Sequence, residues 1–213
     1  DFDLDAAKTR VAATLTVARN GEHDRPLRLD GDGLTLLQVS VDGVALTPQQ
    51  WSLDKGQLVI ALSGTEHRVE TLVEIAPAAN TKLMGLYASG GLLCTQCEAE
   101  GFRRITFFPD RPDVLSRYVV RMAADKALYP VLLANGDPVD GGDLPGGRHW
   151  AQWNDPFPKP AYLFALVAGD LFARVNLVFD QSTWNGSWSD ELIGSAATAT
   201  FNHTQYPITV TNR

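Results

Sequence analysis

Most of the chain is written in period two. From Thr9 to Arg19, Val11, Ala13, Leu15 and Val17 alternate with Ala12, Thr14 and Thr16, the pattern of a strand with one buried face. Asn20-Gly21 closes that strand with a turn. Leu37, Val39 and Val41 alternate with Gln38 and Ser40, then Asp42-Gly43 precedes Val44-Ala45-Leu46. Asp-Gly between two alternating runs predicts a tight hairpin, because both central residues of a type I′ turn need positive φ. Lys55-Gly56 introduces a short strand from Leu58 to Leu62. Val69, Thr71, Val73 and Ile75 alternate with Arg68, Glu70 and Glu74 in another.

The middle of the chain carries a glycine-rich loop from Gly85 to Gly91 and then the run Cys94-Thr-Gln-Cys-Glu-Ala-Glu100. Arg103 to Phe108 reads as a strand. Asp110-Arg-Pro-Asp113 reads as a turn with room for one helical turn. Tyr118 to Met122 and Val131 to Ala134 are strands, followed by a turn at Asn135-Gly136. Asp140 to Gly147 reads as a flexible loop, and Asp155 to Pro160 is too proline-rich for a helix or a central strand. Tyr162 to Ala168 is continuously apolar, as in a strand buried on both faces. Ala173, Val175, Leu177 and Phe179 alternate again. Gln181 to Ala197 is polar and small, a loop or insertion before a last hairpin, Ala199 to Phe201 with Ile208 to Thr211. No segment is an amphipathic helix of more than about two turns. The pattern predicts an all-β sandwich of many short, mostly antiparallel strands with at most one short helical turn.

Composition narrows the partners. With 213 residues the chain is long enough to bury a full core, roughly 70% of its unfolded surface. Its 25 Asp+Glu outnumber 18 Lys+Arg, for a net charge of -7. That excess argues against nucleic acid or an anionic membrane reached by general electrostatics. No apolar run approaches the ~20 residues that span a bilayer. Asp1-Phe-Asp-Leu-Asp5 lacks the order of a secretory leader. Two cysteines are too few for a disulfide framework and fit a reducing, cytoplasmic setting.

Three groups of residues are candidates for chemistry. Cys94-x-x-Cys97 has half the ligands of a structural zinc site, but His23, His67, His149 and His203 are not spaced to complete it. As a redox pair it lacks the following helix that lowers a thiol pKa. Gln96, Glu98 and Glu100 would share one face of a strand. Such carboxylates can hold a peptide's free ammonium by charge-assisted hydrogen bonds, or form a solvated face beside Arg103 and Arg104. Trp150, Trp153, Trp184 and Trp188 offer a stacking platform for a sugar or peptide, or ordinary packing. Asn185-Gly-Ser187 and Asn202-His-Thr204 match the glycosylation acceptor pattern. No nucleophile elbow, phosphate-binding loop or H-E-x-x-H helix is present.

Longer blocks carry a family resemblance. They are Pro77-Ala-Ala-Asn80, Gly85-Leu-Tyr87, Cys94-Thr-Gln-Cys-Glu-Ala-Glu-Gly-Phe-Arg103, Asp110-Arg-Pro-Asp-Val-Leu115, Gly147-Arg-His-Trp150 and Asp155-Pro-Phe-Pro-Lys-Pro160, which runs into Tyr162-Leu-Phe-Ala-Leu-Val-Ala-Gly-Asp170. Through them, residues 1–175 resemble the N-terminal domain of the bacterial aminopeptidase N family, the M1 zinc metallopeptidases. The resemblance implies a saddle-shaped β-sandwich beside a thermolysin-like catalytic domain of the same polypeptide. It implies an exopeptidase that removes N-terminal residues from peptides. It assigns substrate-binding roles to two residues: Glu98 to the α-ammonium of a peptide N-terminus, and Gln96 to the wall of the pocket for the first side chain. An exopeptidase must count from the free amine, and a desolvated carboxylate is a suitable ruler.

The departures are as informative. The family's H-E-x-x-H zinc sequence and Gly-Ala-Met-Glu-Asn loop are absent, so this chain is expected to hold no metal and no cofactor and to hydrolyse nothing alone. Zinc would belong to the full-length enzyme. The family has a further strand before Phe2. The match stops after about Val175, and 176–213 is a divergent tail, an insertion plus a closing hairpin of the same domain. Two readings from other classes stand beside this one: a free-standing module that binds a peptide or glycan, and a zinc-binding protein through Cys94 and Cys97.

Overall fold

Alternation becomes ladders. The computed structural model describes residues 1–171 and four further strands, Asn176–Phe179, Trp188–Glu191, Ala197–Thr200 and Thr209–Asn212. Strand β2 (Thr9–Ala18) pairs antiparallel with β8 (Glu66–Ile75) along its whole length, from Thr9 opposite Ile75 to Ala18 opposite Glu66. Val11, Val69 and Val73 point into the core and are almost fully buried. Thr71, on the same face, meets the Thr106 hydroxyl at 3.4 Å, so neither buried hydroxyl lacks a partner.

Three sheets make up the first unit, Asp1–Gly169. The largest has eight strands in the order β13 (Asp137–Leu144), β14 (Arg148–Pro160), β11 (Leu115–Asp125), β1 (Phe2–Asp3), β2, β8, β4 (Thr35–Val41) and β5 (Val44–Ala45). A four-stranded sheet runs β12 (Val131–Ala134), β15 (Leu166–Gly169), β10 (Leu92–Gln96) and β9 (Gly85–Ser89). A three-stranded sheet runs β3 (Leu27–Asp30), β7 (Gln57–Ile60) and β6 (Trp51–Asp54). Among the described strands, β1 and β11 form the one parallel pair. Leu29, Leu58, Leu93, Ile105, Met122 and Leu166 have no exposed surface, and they tie the three sheets into one core. The molecule is all-β, and among the described residues no helix is long and apolar enough to cross a membrane. The second unit, Asp170–Arg213, contains two antiparallel hairpins: β16 (Asn176–Phe179) with β17 (Trp188–Glu191), and β18 (Ala197–Thr200) with β19 (Thr209–Asn212). Most of the polar stretch 181–197 lies outside the described residues, but β17 runs through it.

Several local expectations hold and several do not. Asp42 and Gly43 have φ of 53° and 80°, as a type I′ hairpin requires. Leu37 does not face inward with Val39: the register shifts between Leu36 and Gln38, and the bulge leaves Leu37 45% exposed. Arg103 to Phe108 is not a strand. Phe102–Arg104 forms a 3-10 turn, which lets Phe102 and Ile105 bury on one side where a strand would split them. Further single 3-10 turns at Pro77–Ala79 and Ala161–Leu163 bring the described total to three, and the second shortens the apolar run at 162–168 to β15. The glycine-rich stretch 140–144 is the edge strand β13, its Gly142 opposite Trp150 in the ladder to β14. The proline-rich stretch is also strand. From Asp155 onward β14 pairs with β11 alone, because its ladder to β13 begins at Asn154, so the proline nitrogens face no missing acceptor there.

Candidate functional site

The Cys94–Arg104 segment is a strand that stops and a turn that is held down. Strand β10 is clamped to β15 through Thr95, whose hydroxyl accepts from the Leu166 amide at 2.8 Å and donates to the Leu166 carbonyl at 3.3 Å. The strand ends at Gln96, opposite Gly85. Cys97 then turns inward and is 1% exposed, while Gln96 and Glu98 on either side are exposed. The peptide bond after Glu98 is cis. Gly101 donates to the Cys97 carbonyl at 2.8 Å and closes the turn.

The residues just after the turn anchor it. Phe102 packs edge-on against Phe108 and Phe164, each at a centroid distance of 5.0 Å, and against Tyr118 at 6.0 Å. Arg103 is wrapped around Asp110, whose carboxylate accepts from the Arg103 amide and from Nε, both at 3.0 Å. A second guanidinium nitrogen donates to the Asp110 carbonyl at 2.8 Å. Asp110 is 4% exposed, and its own amide donates to Asp30 at 3.2 Å. Arg104 pairs with Asp32. The base of the turn is thus a buried aromatic cluster plus a buried, multiply bonded ion pair, and its tip carries Glu98.

The three acidic and amide candidates separate. Glu98 and Glu100 do not share a strand face, because the strand has already ended. Glu100 folds back onto Arg103 at 3.3 Å, which is the solvated-face arrangement. Among the described residues neither Glu98 nor Gln96 has such a partner, so the Glu98 carboxylate is an uncommitted acceptor on a rigid support. Burial, and then the nearby Asp110, pushes the Cys97 thiol up to about 12. A thiol so hard to ionise suits neither metal ligation nor thiol exchange. Cys94 sits in β10 opposite Tyr87, and both cysteines are free thiols. Among the described residues no group of three or more His, Cys, Asp or Glu converges as a metal site. Trp150 and Trp153 do not share a stacking face. Trp150 lies under the Arg121 guanidinium at 4.5 Å, whereas Trp153 faces the other side of β14 and donates to the Leu132 carbonyl at 3.1 Å. Trp184 and the two glycosylation patterns lie outside the described residues. Asp110, which fixes the turn, is marked by the sequence pattern only as part of a turn of its own, and nothing short-range points to it as the partner of Arg103.

The profile described as Peptidase M1 N-terminal domain matches residues 1–163. The chain belongs to this family. Among M1 relatives, the aminopeptidase N of Caulobacter vibrioides is 56% identical over 170 residues, and that of Escherichia coli is 54% identical over 169 residues. These matches cover 80% and 79% of this chain but 20% and 19% of the relatives, so the chain spans about one fifth of the relatives' length. A solved structure of Legionella pneumophila aminopeptidase A in complex with aspartic acid matches with a TM-score of 0.75 and 36% identity, over 84% of this chain and 21% of that one. The M1 zinc metallopeptidase of Deinococcus radiodurans shares the fold, with a TM-score of 0.66 at 18% identity over 93% of this chain and 46% of that one. Residues 1–163 are thus an N-terminal domain of the M1 aminopeptidase type.

Proposed function

We propose that this domain supplies one wall of the substrate site of a zinc aminopeptidase, and that its role there is to recognise the free end of a peptide. Glu98 accepts the α-ammonium and Gln96 lines the pocket for the first side chain. The observation that carries this reading is the placement of an unpaired carboxylate at the tip of a turn whose base is immobilised by Phe102 and by Arg103 with Asp110. A carboxylate that measures the position of an amine must not move with its substrate, and it must have free lone pairs. Both conditions are met. The hydrolytic step, and the zinc that activates water for it, belong to the catalytic domain that follows in the same polypeptide. The two free thiols support a reducing, cytoplasmic setting.

The test is Glu98→Gln in the complete enzyme that carries this domain, assayed on aminoacyl anilides. Loss of one charge-assisted bond of about 1.5–3 kcal/mol lowers kcat/KM by roughly 10- to 200-fold. KM is expected to rise. Kinetics unchanged from the parent enzyme would remove Glu98 from the site.

A further inference from the structure

At the far end of the β2–β8 ladder, away from the Gln96–Glu98 turn, the first unit opens into a groove of about 770 Å³. Its lining includes Arg19, Arg25, Arg28 and Arg111 with His23 and His67, and no carboxylate. In a chain where acidic residues outnumber basic ones by 25 to 18, this lining carries only cationic and neutral side chains. The guanidinium of Arg19 is held by three backbone carbonyls and the His23 ring: Nε donates to Gly64 at 3.1 Å, one terminal nitrogen to Leu62 at 2.9 Å, and the other to the His23 carbonyl and to its Nδ1 at 3.2 Å. Those neutral acceptors orient it without cancelling its charge. Arg28 and Arg111 touch Asp54 at 3.3 Å and Asp113 at 2.5 Å, but these are solvent-exposed pairs that a ligand can share at little cost. Among the described residues Arg25 has no carboxylate partner.

His67 stands at the edge of the groove, oriented by Asp42. Its Nδ1 lies 2.7 Å from the Asp42 carboxylate, so that nitrogen carries the proton. Its Nε2 is buried and has no partner, and it lies 3.5 Å from where a side chain at Gly64 would begin, another residue of the groove. Val17, Leu27 and Leu62 supply an apolar wall beside the cations. The volume falls in the ~300–1,000 Å³ range of small-molecule sites.

We propose that this groove binds a phosphate-bearing small molecule, its oxyanions held between Arg19, Arg25 and Arg111 and its organic part against Val17, Leu27 and Leu62. The site stands apart from the peptide-binding reading of Glu98 and does not depend on it.

The experiment is calorimetric titration of the 213-residue chain with inorganic pyrophosphate at low ionic strength, repeated on two variants. Saturable one-to-one binding is expected. Arg25→Gln combined with Arg111→Gln should weaken it by roughly tenfold or more, the loss of charge-assisted contacts to the oxyanion. Raising salt from about 20 mM to about 200 mM should weaken it as well. Arg148→Gln, which removes an exposed cation paired with Asp3 elsewhere on the sheet, should leave it unchanged. Circular dichroism of each variant separates lost binding from lost fold, since Arg25 and Arg111 are exposed. No saturable binding by the folded parent chain would overturn the proposal. So would equal weakening by Arg148→Gln, which would reduce the effect to net charge.

Discussion

Cys97 and Asp110 set the chemistry around the candidate site from below. Burial raises the Cys97 thiol from its ordinary value to about 12, with the Asp110 charge adding to the effect. The thiol therefore stays protonated in the folded chain at a pH where the unfolded chain has ionised it. A group whose folded pKa is raised contributes stability that is complete below its unfolded value and is lost as pH rises toward the folded one. Urea midpoints should thus fall as pH rises from about 9 toward about 12, and Cys97→Ala should flatten that fall. An identical alkaline decline in the variant would show that other groups cause it. At the same scale, Glu98 shows what residue types convey and what they do not. Three polar residues at alternate positions suggest a shared face. The chain instead turns after Gln96, sends Glu100 to Arg103 and leaves Glu98 outward. Spacing alone does not separate the two glutamates, because the turn is decided by Phe102 and Asp110, of which Asp110 lies well outside the motif. The assignment of Glu98 is legible only through the longer block that carries the family resemblance.

Elements are legible where one force dominates. The β2 and β8 strands come directly from alternation, since one face is buried along both. The Asp42-Gly43 hairpin comes from the backbone freedom its turn needs. The local pattern misleads where neighbours outvote it. Pairing on one side alone makes a strand of Asp155–Pro160, and the ladder to β14 makes an edge strand of Gly141 and Gly142. The turn at Gly101 belongs here. Its φ of -86° is open to any residue, yet a Cβ there would lie 2.4 Å from the Gln96 carbonyl and 2.7 Å from the Cys97 Cα. Close packing of backbone on backbone, rather than an unusual dihedral, demands glycine. Gly101→Ala should therefore destabilise the domain by about 1–3 kcal/mol through overpacking. In the complete enzyme it should also raise KM, because the displaced atoms belong to the residues flanking Glu98. Denaturant unfolding and steady-state kinetics check the two halves. A stable variant with parental KM would show that the turn yields without consequence.

At the scale of the whole molecule, the proposed function rests on where the fold puts the turn that follows β10. Three sheets share one core, and the turn from β10 reaches out of it on a fixed base. The family profile covers residues 1–163, and the relatives continue for several times that length. On this reading the chain is one part of a larger peptidase. The most direct test is the mass of the natural gene product in its source cell, read by blotting with an antibody raised against the 1–163 region. A band several times heavier than 23.2 kDa, copurifying with aminopeptidase activity, is the expected outcome. A sole band near 23.2 kDa, with no such activity, would refute it.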